Sequence, residues 1–530
     1  MTFQAHDELV LLALLVAVAA LLVLAPIVRT PYPILLVLGG LALGFVPGMP
    51  SITLPPDLVL IAILPPLLYS AAFYTSLRDL RQNVRQISAL ALGLVVATTV
   101  GVAAVAHMLI PGLGWGSAFV LGAIVSPTDP VAATSIARRL GVPRRIVTIV
   151  EGESLVNDGT ALVLYRAAVV AVVSGSFSVW DAGLRFVGTA AGGIAVGIGV
   201  GFVIAAIRRR LDNPPVEVTI ALLSGYFAYL PASILGVSGV LAAVTTGIYM
   251  GWRTPELTSV QTRLDGAAAW QIFTFVVNAL LFSLVGLQLH EILNALSGRS
   301  AGQLMWEAAA VAATVIVLRI VWIFPITYVP WILWGRSSKH DPAPPWQRPA
   351  VVAWMGMRGA VSLAAALALP LTTDAGGPFP DRPLIIYLVF AVIVATLVFQ
   401  GLSLPLVIRV LGVEDDGLDA KEEAKARIHA ADAALARLDE LVDEDWVRPE
   451  TAERLRGMMG FRKDRFAARF SAEDDGGIEA QSLAYQRLRR ELLDAERGAV
   501  VELRREGRIN EDVMRRVTHD LDLEDARLDV

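Results

Sequence analysis

What most limits the folding of this chain is a run of about twenty mostly apolar residues that recurs along its first four-fifths, because that is the length a helix needs to cross a bilayer. Such runs lie near 8–26, 31–48, 56–75, 86–110, 115–137, 146–173, 182–207, 215–234, 236–252, 267–289, 303–334, 349–370 and 384–411. Lipid offers the backbone no hydrogen-bond partners, so each run must close its own bonds as a helix. The expected fold is an all-α polytopic membrane protein of about 13 transmembrane helices. Residues 1–413 form the transmembrane domain. Spans eight and nine almost touch near Gly236. The first run has no basic segment before it, so Leu9–Pro26 reads as a span rather than a cleaved signal.

Residues 414–530 are of another kind. They carry 21 basic and 31 acidic side chains, against 23 and 18 in the first 413 residues. Ala420–Val442 and Leu483–Arg508 mix Ala and Leu with both charge signs at helical spacing. Asp474-Asp475-Gly476-Gly477 reads as a turn between them. Residues 414–530 are expected to be a cytoplasmic helical domain, regulatory or for assembly, whose partner is a regulatory ligand or protein. The chain has no cysteine, which excludes disulfides and thiolate chemistry. Its basic residues are scattered rather than clustered, so nothing marks a nucleic-acid interface.

Loop charges set the orientation. Alternate loops hold Arg29; Arg78, Arg81 and Arg85; Arg138, Arg139, Arg144 and Arg145; Arg208, Arg209 and Arg210; Arg253 and Arg263; and Arg336, Lys339 and Arg348. The other loops hold only Arg299 and Arg382. Basic loops mark the cytoplasmic side, so the N-terminus is expected outside and the C-terminus in the cytoplasm.

Ionisable groups inside spans are costly and point to function. Those that stand out are Asp129 in span five; Glu151, Glu153, Asp158 and Arg166 in span six; Arg319 in span eleven; and Arg358 in span twelve. Glu307 lies near the entrance of span eleven, where water is expected to reach it. Arg166 is expected to snorkel toward the interface. Span five reads Ser126-Pro127-Thr128-Asp129-Pro130, and two prolines three apart cannot share an unbroken helix. Span twelve reads Gly356-Met357-Arg358-Gly359, a second expected interruption. Breaks seven spans apart fit an inverted repeat with a midplane binding site. At such breaks Asp129 and Arg358 either carry ions or neutralise the partial charges of half-helix ends.

In span six Ser154 and Asp158 are i,i+4 and share a face, with Glu151 one turn earlier and close to it. Glu153 and Asn157 form a second such pair about 100° around the helix. Hydroxyl and carboxylate oxygens on one face suit a hard cation. The natural partner for Glu153 is Arg319, since pairing lowers the cost of burying both charges. An anion carrier or a channel fits less well, because acids dominate span six and no filter-like loop is present. No His-Glu-x-x-His or Gly-x-Ser-x-Gly occurs and the six histidines do not cluster, so the chain is not read as an enzyme.

Four segments together resemble the cation:proton antiporter-1 family, the bacterial sodium/proton antiporters related to animal sodium/hydrogen exchangers. They are Leu64-Pro65-Pro66-Leu67-Leu68-Tyr69, Ser126-Pro127-Thr128-Asp129-Pro130-Val131-Ala132, Glu151-Gly152-Glu153-Ser154-Leu155-Val156-Asn157-Asp158-Gly159 and Gly356-Met357-Arg358-Gly359-Ala360-Val361-Ser362, within a likeness over roughly residues 8–411. The resemblance implies the inverted-repeat antiporter fold and a homodimer in the inner membrane of a bacterium. In that dimer a six-helix core moves against a dimerisation domain. It maps the ion-binding aspartate onto Asp158, its hydroxyl neighbour onto Ser154, the unwound backbone onto Thr128 and Asp129, and a buried ion pair onto Glu153 and Arg319. Sodium is thus expected at Asp158, Ser154 and Thr128, with Asn157 beside them. Some relatives carry an acid where this chain has Ser70. Sodium and protons are the transported partners, potassium or lithium is the alternative to sodium, and no cofactor is implied. With Asn157 rather than a second acid before Asp158, one carboxylate carries one proton or one cation, which implies electroneutral 1:1 exchange.

Overall fold

The computed structural model describes residues 5–28, 30–46, 58–175, 179–294, 296, 298–334, 345–468 and 477–528. Arg29, Arg336, Lys339, most of the turn at 474–477 and the edges of the second and third runs (47–48 and 56–57) lie outside them. The chain divides into two compact units, Met1–Asp415 and Asp416–Val530. Among the described residues the only β-type pairing is one isolated bridge, Thr372 with Pro378.

Helices lie over every apolar run. They are α1 (Ala5–Val28), α2 (Tyr32–Gly44), α3 (Leu64–Tyr74) and α4 (Val84–Leu109). Next comes a broken pair, α5a (Trp115–Val125) and α5b (Pro130–Arg139). Then follow α6 (Arg144–Ser174), α7 (Val179–Arg208), α8 (Pro214–Ile234), α9 (Gly239–Leu257), α10 (Val260–Leu287) and α11 (Ala301–Trp334). A second broken pair is α12a (Gln347–Trp354) and α12b (Ala360–Leu367), and α13 (Arg382–Leu411) closes the unit. Eight helices among the described residues, counting α5a–α5b as one, are long and apolar enough to cross a membrane. Both interruptions fall at the expected motifs, 126–129 and 355–359. Gly236 holds the tight turn between α8 and α9 at φ +72°, a conformation open to glycine at little cost.

Without a hydrophobic force between helices in lipid, close packing relies on small residues. Gly247 of α9 shows this: a Cβ there would meet the Tyr69 carbonyl of α3 at 2.6 Å. In the same group, α2 lies along α10 and α9 against α7 and α8. In the other group α5a packs between α4 and α6, while α11 packs on α4, α12a and α13.

Three helices contain a π-helical segment: Leu58–Ile63 leading into α3, Ala89–Leu94 within α4 and Thr396–Gln400 within α13. Such wide turns leave carbonyls without their usual partner. Trp322 Nε1 of α11 donates to the Ala89 carbonyl at 3.1 Å, and the Tyr226 hydroxyl of α8 donates to that of Ala62.

The second unit holds α14 (Leu418–Leu441), α15 (Pro449–Ala468), α16 (Gly477–Arg505) and α17 (Glu511–Ala526). α14 pairs with α15 through Lys463–Asp432 and Arg456–Asp439, with the Arg427 guanidinium over the Phe466 ring. α16 pairs with α17 around buried Leu493 and Leu521.

Candidate ion-binding site

The two breaks touch. Pro130 sits at the first position of α5b, where a missing N–H costs nothing. Asp129 caps that helix, its Oδ1 accepting from the Val131 N–H at 2.9 Å. The Asp129 N–H in turn donates to the Met357 carbonyl at 2.8 Å, so one break is bonded to the other through the backbone. Only glycine fits next to this contact, because a Cβ at Gly359 would lie 2.5 Å from Asp129 Cγ and 2.6 Å from its Cβ. Arg358, 1% exposed, donates from Nε to the Val125 carbonyl at 3.0 Å and from Nη1 to that of Gly356. Its backbone N–H donates to the Thr396 hydroxyl at 3.0 Å. The acid thus stands at a half-helix N-terminus and the guanidinium at a half-helix C-terminus.

α6 presents its polar residues to these breaks. Glu153, Ser154, Asn157 and Asp158 are all buried. Arg319 grips Glu153 with two bonds, Nη1 to Oε1 at 2.5 Å and Nη2 to Oε2 at 2.8 Å. Its Nε and Nη2 also donate to the Val352 carbonyl of α12a at 3.3 and 3.2 Å. The Thr128 hydroxyl donates to Glu153 Oε1 at 3.1 Å and accepts from Asn157 Nδ2 at 2.9 Å. This chain of bonds has a forced direction. A carboxylate only accepts, so Thr128 must donate to it, and Asn157 must then supply its N–H to Thr128. α6, the α5 break, α11 and α12a are tied by one network.

Asp158 lies next to that network but is not consumed by it. Among the described residues no ion pair joins Asp158 to a basic group, while Arg319 is engaged by Glu153 and Arg358 by carbonyls. Asp129 is within electrostatic range of it. Ser154, one turn earlier on α6, is buried with it.

Two other expectations meet the structure differently. Glu151 is not drawn to the Ser154–Asp158 face; it accepts from Arg138 at 2.7 Å and is a quarter exposed. Glu307 is not open to water. It is 1% exposed, held by Arg299 Nη1 at 3.2 Å and Gln303 Nε2 at 2.9 Å, because its place in the second turn of α11 lies within reach of Arg299 just before the helix and Gln303 one turn earlier. At Ser70, where some relatives carry an acid, the hydroxyl donates to the Leu67 carbonyl of its own helix at 2.9 Å. Arg166 is exposed on α6.

One buried pair has no counterpart in the sequence analysis. Arg208 at the end of α7 and Glu217 near the start of α8 are 3% and 2% exposed and approach to 3.5 Å. The Thr262 hydroxyl of α10 donates to Glu217 at 3.4 Å. A signal existed: Glu217 is an acid inside an apolar run, nine residues past an arginine across a tight turn.

Residues 11–410 match the family described as "Sodium/hydrogen exchanger, transmembrane". The chain belongs to the sodium/hydrogen exchanger family. It is 37% identical to an uncharacterised Na+/H+ exchanger of Mycobacterium tuberculosis, over 98% of this chain and 96% of that one. It is 32% identical to the Na+/H+ antiporter ApNhaP of Aphanothece halophytica, over 95% and 94%. A "sodium, potassium, lithium and rubidium/H(+) antiporter" of Bacillus pumilus is 33% identical over 75% of this chain and 60% of its own. The fold matches that of the sodium proton antiporter MjNhaP1 from Methanocaldococcus jannaschii, with a TM-score of 0.61 at 20% identity over 78% of this chain and 99% of that one. The interrupted helices crossing through Asp129 and Met357 thus belong to an exchanger fold, and the chain is a multi-pass membrane protein of a transporter family. Among the described residues no group of three or more His, Cys, Asp or Glu is placed to hold a metal ion. For this family the ions are cargo.

Proposed function

We propose that this exchanger trades sodium for protons across the membrane, with Asp158 as the shared carrier. The observation that carries the reading is the position of Asp158. It is a buried carboxylate for which no ion pair is found among the described residues, next in sequence to Asn157, whose amide bonds the Thr128 hydroxyl of the α5 break. A proton or a cation neutralises the carboxylate, and the loaded form crosses the low-dielectric barrier. The empty anion bears the desolvation cost and stays in place. That difference produces exchange rather than leak.

The ligands follow from the hydrogen-bond count. The Thr128 hydroxyl gives its proton to Glu153 and one lone pair to Asn157, leaving one lone pair for a cation. With the Ser154 hydroxyl and the Asp158 carboxylate it supplies an all-oxygen set of the type sodium prefers. Asn157 is an amide and carries no second proton, so exchange is 1:1 and electroneutral. Glu153 and Arg319 hold the core together, and Asp129 and Arg358 compensate the half-helix ends. The protein acts in pH and sodium homeostasis as a homodimer surrounded by lipid in the inner membrane of a bacterium. Its N-terminus is outside and its C-terminus in the cytoplasm, and the second unit answers to a regulatory ligand or protein. The breadth named for the Bacillus relative favours potassium or lithium as second substrates.

The test is competition. In proteoliposomes the sodium KM of exchange rises about tenfold per pH unit below the carrier's pKa, and an imposed membrane potential leaves the rate unchanged. A KM flat across that range removes the shared carrier; a rate that follows the potential removes the 1:1 stoichiometry.

A further inference from the structure

α16 has two apolar faces, and α17 covers one of them. Leu493 is buried there, with Arg489 paired to Glu524 at 2.5 Å and Arg497 to Asp522 and Asp525 at 2.8 and 2.9 Å along its edges. About 120° around the helix runs a second stripe: Tyr485, Leu488, Leu492, Ala495 and Ala499. Its spacing of three and four is the a/d alternation of a coiled coil. All five are exposed, the first three by 60, 61 and 47%. Such a row in an otherwise charged unit marks an interaction surface.

We propose that this stripe is a docking seam for the same stripe of a second copy of the chain, the two α16 helices lying antiparallel. Two independent features select that occupant and direction. The first is volume. In the antiparallel register Leu492 faces Ala495 of the second copy and Leu488 faces its Ala499, so each large side chain meets a small one, as interdigitated layers require. A parallel pair sets Leu against Leu at one end and Ala against Ala at the other, leaving a gap. The second is charge. Arg489 pairs with Glu524 and lies 3.7 Å from Glu496 of its own chain, and antiparallel packing adds the second copy's Glu496 beside it, twice by symmetry, whereas parallel packing sets Glu491 beside the second copy's Glu496. The contact is isologous, as a two-fold pair demands. Five residues are a short seam, and its occupancy rests on the homodimer reading, which raises the local concentration of one α16 around the other.

The chain has no cysteine, so a spin label on Ala484→Cys, at the edge of the stripe, reports on this pairing alone. In the full-length protein in lipid nanodiscs, antiparallel pairing puts the two labelled positions about 30 Å apart, from 1.5 Å per residue and helices 8–10 Å apart. Leu488→Asp with Leu492→Asp, both exposed in one copy, abolishes that distance while the particle mass stays dimeric. A distance of about 12 Å means parallel pairing and overturns the register. A dimeric particle with no defined distance, or one that the aspartates leave unchanged, overturns the seam. A monomeric particle overturns the seam together with the homodimer reading.

Discussion

Removing one member of the Glu153–Arg319 pair should destabilise the protein more than removing both. Arg319→Met deletes a fully buried guanidinium that makes two bonds to Glu153 and two to the Val352 carbonyl. The carboxylate left behind is 1% exposed and keeps only the Thr128 hydroxyl. Breaking a buried pair from one side costs about 3–5 kcal/mol, most of it the stranded charge. Glu153→Met strands Arg319 on a single carbonyl and falls in the same range. The double variant buries no charge, and replacing a buried pair by apolar residues of similar volume is often close to neutral. Its loss should therefore be well below the sum of the singles, with a coupling of at least about 2 kcal/mol, inside the range seen for contacting residues. The assay is thermal unfolding of the purified parent, two singles and double in the same detergent. Additive losses, or singles that melt with the parent, would show that the pair does not hold α6 to α11.

Other consequences are local. Gly359→Ala forces a methyl into the Asp129 carboxylate and should cost about 1–3 kcal/mol as overpacking, with transport lost and the sodium response absent in a vesicle assay. Thr128→Val removes a cation ligand and an N–H acceptor, so the sodium KM should rise about tenfold or more at constant pH. Glu217→Leu strands Arg208 and should lower stability by about 3–5 kcal/mol. Because the pair lies away from Asp158, the sodium KM of the folded fraction should stay at the parent value. Trp322→Phe leaves the Ala89 carbonyl of the α4 π-turn without its donor and should cost about 1–3 kcal/mol in a melting curve.

Much of the fold was legible because lipid leaves the chain few options. An apolar run of twenty residues must be a helix, and the proline pair at 127 and 130 must break one. The site was legible in part for the same reason, since an acid such as Asp158 inside a span stands out against apolar neighbours. What escaped was set by contacts distant in sequence. No local pattern announces that the Asp129 N–H bonds the Met357 carbonyl. Arg208 sits beside Arg209 and Arg210 and looks like part of a loop, until the α7–α8 turn brings Glu217 to it. Glu307 looked accessible because it lies near a span end, yet Arg299 and Gln303 close over it. The π-helical turns have no periodic signature, and their carbonyls are answered by Trp322 and Tyr226 from other helices.

The measurement that bears most directly on the central claim is proton movement in proteoliposomes under an imposed pH gradient, for the parent and Asp158→Asn side by side. Sodium, lithium, potassium or choline is added outside and the gradient is read by a pH-sensitive dye. Collapse of the gradient by sodium but not choline in the parent, and by no cation in the variant, is the predicted result. A variant that exchanges as fast as the parent would contradict the account, since Asp158 would then not be the carrier.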